Sequence, residues 1–306
     1  MDTLRAQVRH LGVPAPALFV LGGVSLYLGA GLAVLLFHRL DPAGAAWLRM
    51  LVAALVLLAW RRPDRAAWRG RRLVLAGGFG LATGVMNVAF YEAIARLPLG
   101  TAVAVEFCGP VAVGALGSRS RRDGGALLLA GAGVVLIADV RLTGSPTGFG
   151  LALLAAVMWA AYIVLGKQVA SGGNGLDDMA VGFTIAAVLL SPLSLGAGPV
   201  WGSLGLLVLA VGVGVLSTVL PYALDQVVLR RVGRARFALL LALLPAVAPV
   251  VGLLVLGQVP RGLEAVGIVA VVAAVALRSP GQRCRWVRRI QVGSDFQPIR
   301  LDGREF

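Results

Sequence analysis

Ten largely uncharged apolar windows recur along the chain, at approximately residues 15–37, 43–60, 73–95, 97–117, 124–138, 148–166, 179–197, 203–226, 237–257 and 262–277, and no other feature constrains the fold as much. A helix rises about 1.5 Å per residue, so roughly 20 apolar residues cross about 30 Å of hydrocarbon. With 58% hydrophobic residues and a mean hydropathy of +0.88, the chain lies far outside the composition of soluble globular proteins. The expected fold class is all-α integral membrane, with ten transmembrane helices.

The first window follows Arg5 and Arg9, as the apolar core of a cleaved leader would. It is too long for that role and nine more windows follow, so it reads as the first span. The net charge of +14 is concentrated between the windows. With the N-terminus in the cytoplasm, that side collects Arg5, Arg9, the block "RRPDRAAWRGRR", Arg119, Arg121, Arg122, Lys167, "RRVGRAR" and the tail arginines. The opposite side keeps Arg39, Arg96, Arg141 and Arg261. That asymmetry is the positive-inside pattern; it places both termini in the cytoplasm and assigns the basic residues to topology and the lipid bilayer rather than to nucleic acid. Residues 1–14 are expected to form a cytosolic N-terminus, and the polar stretch 279–306 a disordered cytosolic tail. Cys108 and Cys284 suggest neither a disulfide nor a metal site.

An offset of 135 residues superposes Tyr27 on Tyr162, Leu81 on Leu216, Thr83 on Thr218 and Pro110 on Pro245. It relates the first five windows (15–140) to the last five (148–278), and an odd number of spans per unit inverts one unit relative to the other. Two inverted five-helix repeats are therefore expected. The 41 glycines suit close helix packing. The sequence contains no nucleotide-binding loop, metal-ligand cluster or Ser/His/Asp set, so an enzyme is not expected and no cofactor or metal is implied.

Within this apolar frame a few polar side chains stand out. Glu106, in "NVAFYEAIARLPLGTAVAVEFCGP", lies inside the fourth window. An ionised carboxylate there costs roughly 2.5–3.5 kcal/mol unless it is neutral, paired or facing water. It is a candidate for proton coupling or for recognition of a substrate ammonium; a structural hydrogen bond is the plainer reading. Arg49 in the second window offers a bidentate partner for Glu106 or for a substrate carboxylate, or else snorkels to the interface. Asn87 and Tyr91, four residues apart, share one helix face, as cavity wall or as interhelical hydrogen-bond partners. Glu92 and Arg96 read as a solvated i,i+4 pair, and Asp225 as an interfacial carboxylate. Trp159, Tyr162 and Tyr222 are candidate cavity-lining aromatics, with plain packing as the alternative. Pro110 removes a helical hydrogen bond just beyond Glu106.

The stretch "MNVAFYEAIARLPLGTAVAVEFCGPVAV" with "SRSRRD", "MWAAYIVLGK" and "LSTVLPYALDQ" resembles the drug/metabolite transporter superfamily of the EamA type, and within it the bacterial threonine/homoserine exporter group. The resemblance spans residues 15–278. It implies two inverted five-helix repeats around a central cavity and efflux of a small metabolite driven by protons. Asn87, Phe90, Tyr91, Pro98, Gly100, Glu106, Phe107, Gly109 and Pro110 fall on the group's motif; Arg49, Trp159, Tyr162, Pro221 and Tyr222 match elsewhere. Pro110, Pro221 and Pro245 become hinge candidates. The chain departs from the group at Leu244, at Gln258 after Gly257, and at Val34, where the group carries glutamate, glutamate and lysine. The expectation is a multi-pass exporter of small amino acids in the bacterial inner membrane, with the same architecture carrying a drug, nucleobase or sugar as the alternative and a membrane-embedded enzyme or scaffold as a distant one. The sequence carries no signal of oligomeric state.

Overall fold

The computed structural model describes residues 14–116, 121–141, 145–171, 175–221, 224, 228, 244–260 and 262–278, and every regular element among them is helical. Helix α1 covers Ala15–Leu36, α2 Pro42–Arg61, α3 Gly70–Ile94, α4 Leu99–Glu106, α5 Cys108–Leu116, α6 Arg121–Arg141, α7 Pro146–Ser171 and α8 Gly175–Leu189. After α8 come a 3-10 stretch, Ser191–Ala197, and a single turn, Gly198–Trp201. Helix α9, Leu204–Gly214, runs into a π-helical turn, Val215–Val219; α10 covers Leu244–Leu256 and α11 Gly262–Arg278. The termini 1–13 and 279–306, Tyr222 and Asp225 lie outside the described residues.

Among the described residues, four helices are long and apolar enough to cross a membrane: Ala17–Leu36, Pro42–Arg61, Gly70–Ile94 and Pro146–Gly166. A fifth crossing is formed if Gly175–Leu189 and Ser191–Trp201, bent by 67° to each other, act as one. Shorter apolar helices lie among the described residues of the remaining windows. Three of the breaks in helical register have local causes. Pro110 divides the fourth window into α4 and α5, Pro192 sits at the bend after α8, and the eighth window leaves α-helical register ahead of Pro221. Leu21, Leu55, Val74, Leu128, Val188, Leu204 and Leu254 are exposed on the helices. In water such a surface would drive association; against lipid tails it is the expected outer face.

With apolar groups on both sides, burial of apolar area does little to select helix partners, and close backbone approach does the selecting. A Cβ on Gly80 would overlap the carbonyl of Gly182, joining α3 to α8, and one on Gly109 would overlap the carbonyl of Ala156, joining α5 to α7. The packing between the two halves has a regular plan. Helix α3 lies on α7 and α9 with its π turn lies on α1; α3 lies on α8 and α9 on α2; α4 and α5 lie on α7, and α10 on α1. Helices α6 and α11, α2 and α8, and α4 and α10 pair across the middle. At one end, Arg61 and Arg72 from α2 and α3 bridge to Asp177 and Asp178 in the first turn of α8, where carboxylates also complement the helix dipole.

Candidate functional site

Helix α4 stops at Glu106 and helix resumes at Cys108. Proline accounts for the break: Pro110 has no N–H to return to the Glu106 carbonyl four residues back, and its ring crowds that oxygen. The polypeptide on either side stays bonded, with Phe107 N–H donating to Val103 O at 3.0 Å and Val111 N–H to Phe107 O at 3.2 Å. Glu106 therefore sits at a discontinuity rather than mid-helix. Its side chain is 8% exposed, with Arg49 and Tyr27 in electrostatic reach of the carboxylate.

A second proline shapes another wall. Pro221 has no N–H for Ser217 O in α register, nor for Leu216 O in the π register of the preceding turn. Both carbonyls are taken by side chains of the first half instead. Ser25 Oγ donates to Leu216 O at 2.8 Å, and Arg49 Nη2 donates to Ser217 O at 2.9 Å. Arg49 Nε also donates to Thr218 Oγ1 at 2.9 Å. Gly29 of α1 allows the approach, since a Cβ there would lie 2.8 Å from Ser217 N.

Arg49, 8% exposed, is thus a buried bridge between α2 and the π turn and does not snorkel. The two bonds use two of its five N–H donors. The ion pairs among the described residues are Arg61–Asp177, Arg72–Asp64, Arg72–Asp178 and Arg96–Glu92, so Arg49 and Glu106 interact through space rather than in direct contact. Tyr91 faces the same guanidinium, its ring centroid 5.6 Å from Arg49 Cζ, within cation–π range. Phe37 packs edge-on against the Tyr91 ring at 5.8 Å.

Asn87 lies one turn before Tyr91 and is spent on structure: its Nδ2 donates to Thr83 O at 2.9 Å and to Met50 Sδ at 3.2 Å. Trp159 is brought to the site, T-shaped on Phe107 at 4.6 Å. Tyr162 is not; it lies against Phe79 at 4.8 Å, in a separate apolar cluster with Met50 and Phe183. Pro221 is buried at the end of the π turn. Pro245 falls within α10, but its side chain and Tyr222 lie outside what the structure describes. Glu92 pairs with Arg96, and its Oε1 also accepts the Ala43 N–H at 3.1 Å, capping α2.

The EamA-like transporter family's sequence profile matches residues 146–279. The threonine/homoserine exporter RhtA of Salmonella typhimurium LT2 is 35% identical over 271 residues, 87% of this chain and 92% of that protein. RhtA of Escherichia coli K12 is 33% identical over 272 residues, again 87% and 92%. The chain belongs to the EamA-like transporter family. A protein of known crystal structure shares the fold, with a TM-score of 0.55 at 20% identity over 85% of this chain and 96% of the other.

Several polar groups of this EamA-like chain escape a reading of the sequence. Ser25, Ser217 and Thr218 look like ordinary small residues of packed helices; the usable signal was Pro221, which marks the carbonyls four and five residues before it as needing partners. Glu264, 0% exposed in the first turn of α11, accepts from the Thr101 hydroxyl and is a second buried carboxylate. At the edge of its window it is indistinguishable from a residue at the water interface. Gln258, a departure from the group, accepts the Leu99 N–H at 2.8 Å, so a neutral amide caps the first turn of α4.

Proposed function

We propose that this chain is a secondary exporter of small hydroxylated amino acids, of the kind that the names of its relatives describe. It crosses the bacterial cytoplasmic membrane ten times, as inverted repeats 15–140 and 148–278, with both termini inside. The packing plan supports the repeats: exchanging each helix of one half for its counterpart 135 residues away maps the main inter-half contacts onto one another. A protein built this way can present one central site to either side by rocking of the halves, because two arrangements related by the exchange have similar energy.

The observation that carries the function is the polar centre made by Glu106, Arg49 and Tyr91, buried where broken helix α4 and the π turn of α9 face helices α2 and α3. A zwitterionic amino acid brings one cation and one anion. Glu106 matches the ammonium and the remaining guanidinium donors of Arg49 match the carboxylate, while Asn87 and Trp159 shape the wall. Pro110, Pro221 and Pro245 are the hinge positions; Pro110 and Pro221 each remove a hydrogen bond that would stiffen the helix. Glu106 is also the proton carrier: a carboxyl whose surroundings differ between the two orientations takes a proton on one side and releases it on the other.

Counterflow of labelled threonine into proteoliposomes tests this reading. Glu106→Gln, inserted and folded as wild type, should lose proton-driven export. Unchanged transport by that variant rejects the role of Glu106, and absence of amino-acid counterflow by wild type rejects the cargo. The drug, nucleobase and sugar alternatives predict competition by those compounds instead.

A further inference from the structure

The hydroxyl of Tyr91 is the buried polar group of this site that the fold leaves unused. Tyr91 is 0% exposed, and its OH finds no hydrogen-bond partner among the described residues. Its ring is held by Phe37, edge-on at 5.8 Å, and by Phe90 at 6.3 Å, with the guanidinium of Arg49 over its face at 5.6 Å. Phenylalanine would make all of those ring contacts without burying an unpaired hydroxyl, so packing alone does not account for tyrosine here. The hydroxyl is also fixed in place, because the flanking rings restrict the side chain. A fixed, unpaired donor and acceptor beside the cation proposed to bind the substrate carboxylate lies within one amino-acid length of that carboxylate.

We infer that Tyr91 is the specificity-determining residue of the site, its hydroxyl exchanging a hydrogen bond with the side-chain hydroxyl of the transported amino acid. This rests on the exporter reading above. The chemistry is that of a site left unsatisfied by the wrong substrate. A cargo with a β- or γ-hydroxyl pairs with Tyr91, whereas an isosteric cargo with a methyl group in its place leaves the Tyr91 hydroxyl buried and unpaired, and such sites discriminate strongly against the analogue. Arg49 and Glu106, which recognise groups common to all amino acids, cannot make that distinction. Asn87 cannot substitute as donor, because its amide is bonded to Thr83 O and Met50 Sδ.

The test compares threonine with valine, and homoserine with norvaline, as counterflow substrates for wild type and Tyr91→Phe in proteoliposomes of equal protein content. Wild type is expected to prefer each hydroxylated substrate, and Tyr91→Phe to lower that preference at least about tenfold, by losing threonine transport while keeping or gaining valine transport. Retained valine transport also reports that the variant is folded. As a second readout, threonine should raise the melting temperature of detergent-solubilised wild type and not that of Tyr91→Phe. Preference unchanged within twofold, with wild type moving threonine, overturns the inference and leaves the exporter reading standing. Wild type moving none of the four amino acids overturns the exporter reading and the inference with it. Failure of Tyr91→Phe to fold overturns the premise that the hydroxyl lacks a structural partner.

Discussion

If Pro221 is why Ser25 and Arg49 bond to main-chain carbonyls of the π turn, then giving residue 221 an N–H should make one of those side chains redundant. Arg49→Met removes the guanidinium while keeping bulk. It loses the bonds to Thr218 Oγ1 and Ser217 O, both at 2.9 Å. Hydrogen bonds between membrane helices average about 0.6 kcal/mol and reach about 1.7 kcal/mol, and the lost cation–π contact adds about 0.5–2 kcal/mol. Arg49→Met should therefore cost about 2–5 kcal/mol. In a Pro221→Ala background the new N–H can bond Ser217 O by returning to α register, or Leu216 O by keeping π register. The first outcome lowers the cost of Arg49→Met by about 0.6–1.7 kcal/mol; the second lowers the cost of Ser25→Ala by a similar amount. Reversible unfolding by SDS in mixed micelles, followed by circular dichroism or tryptophan fluorescence, gives both double-mutant cycles. Costs additive within about 0.5 kcal/mol in both cycles would refute the reasoning, since independent sites behave that way.

Gly80→Ala should prevent stable packing of α3 on α8, because the new methyl overlaps the Gly182 carbonyl and backbone cannot yield as a side chain can. Gly124→Ala, with nothing within 4 Å of the added Cβ, should be neutral or stabilising by up to about 1 kcal/mol; yields of monodisperse protein and melting temperature compare the two. Thr101→Val, which removes the hydroxyl donated to buried Glu264, should destabilise by about 1–3 kcal/mol. The same unfolding assay measures that loss.

The sequence exposed the long helices because a helix that crosses a membrane is apolar over that length, and it exposed Glu106 and Arg49 because charge is conspicuous against such a background. Windows of hydropathy cannot register a break that leaves composition unchanged: Pro110 and the π turn before Pro221 shorten helices without adding one polar residue. Burial is not legible from position within a window. Arg49, near the end of its window, is as enclosed as Glu106, and Glu264 lies deeper than either despite its place in a first turn. Partner choice was the least legible part. Ser25 and Thr218 are ordinary residues until the fold brings α1 and α2 against a carbonyl that a proline has left unpaired.

Under the proposed exchange of halves the packing is symmetric while the chemistry is not, and the difference bears on direction. Position 184, the counterpart of Arg49, is a threonine whose hydroxyl turns back onto Ala180 O at 2.8 Å. Position 86, the counterpart of Pro221, is Met86, and α3 runs through it as an unbroken helix from Gly70 to Ile94. Under that exchange, symmetric packing would supply two arrangements of comparable energy. Under the proposed function, one-sided chemistry would anchor a charged ligand on α2, α3 and α4 of the first half in both arrangements, with the π turn of α9 as the part that would have to let go of Arg49 or carry it along. Release of Ser217 O would leave that carbonyl without its α-register partner, since Pro221 has no N–H to offer it. The transition then costs at least that unmade bond unless water or the substrate replaces Arg49, and restoring an N–H at position 221 should lower the barrier as well as the stability conferred by Arg49.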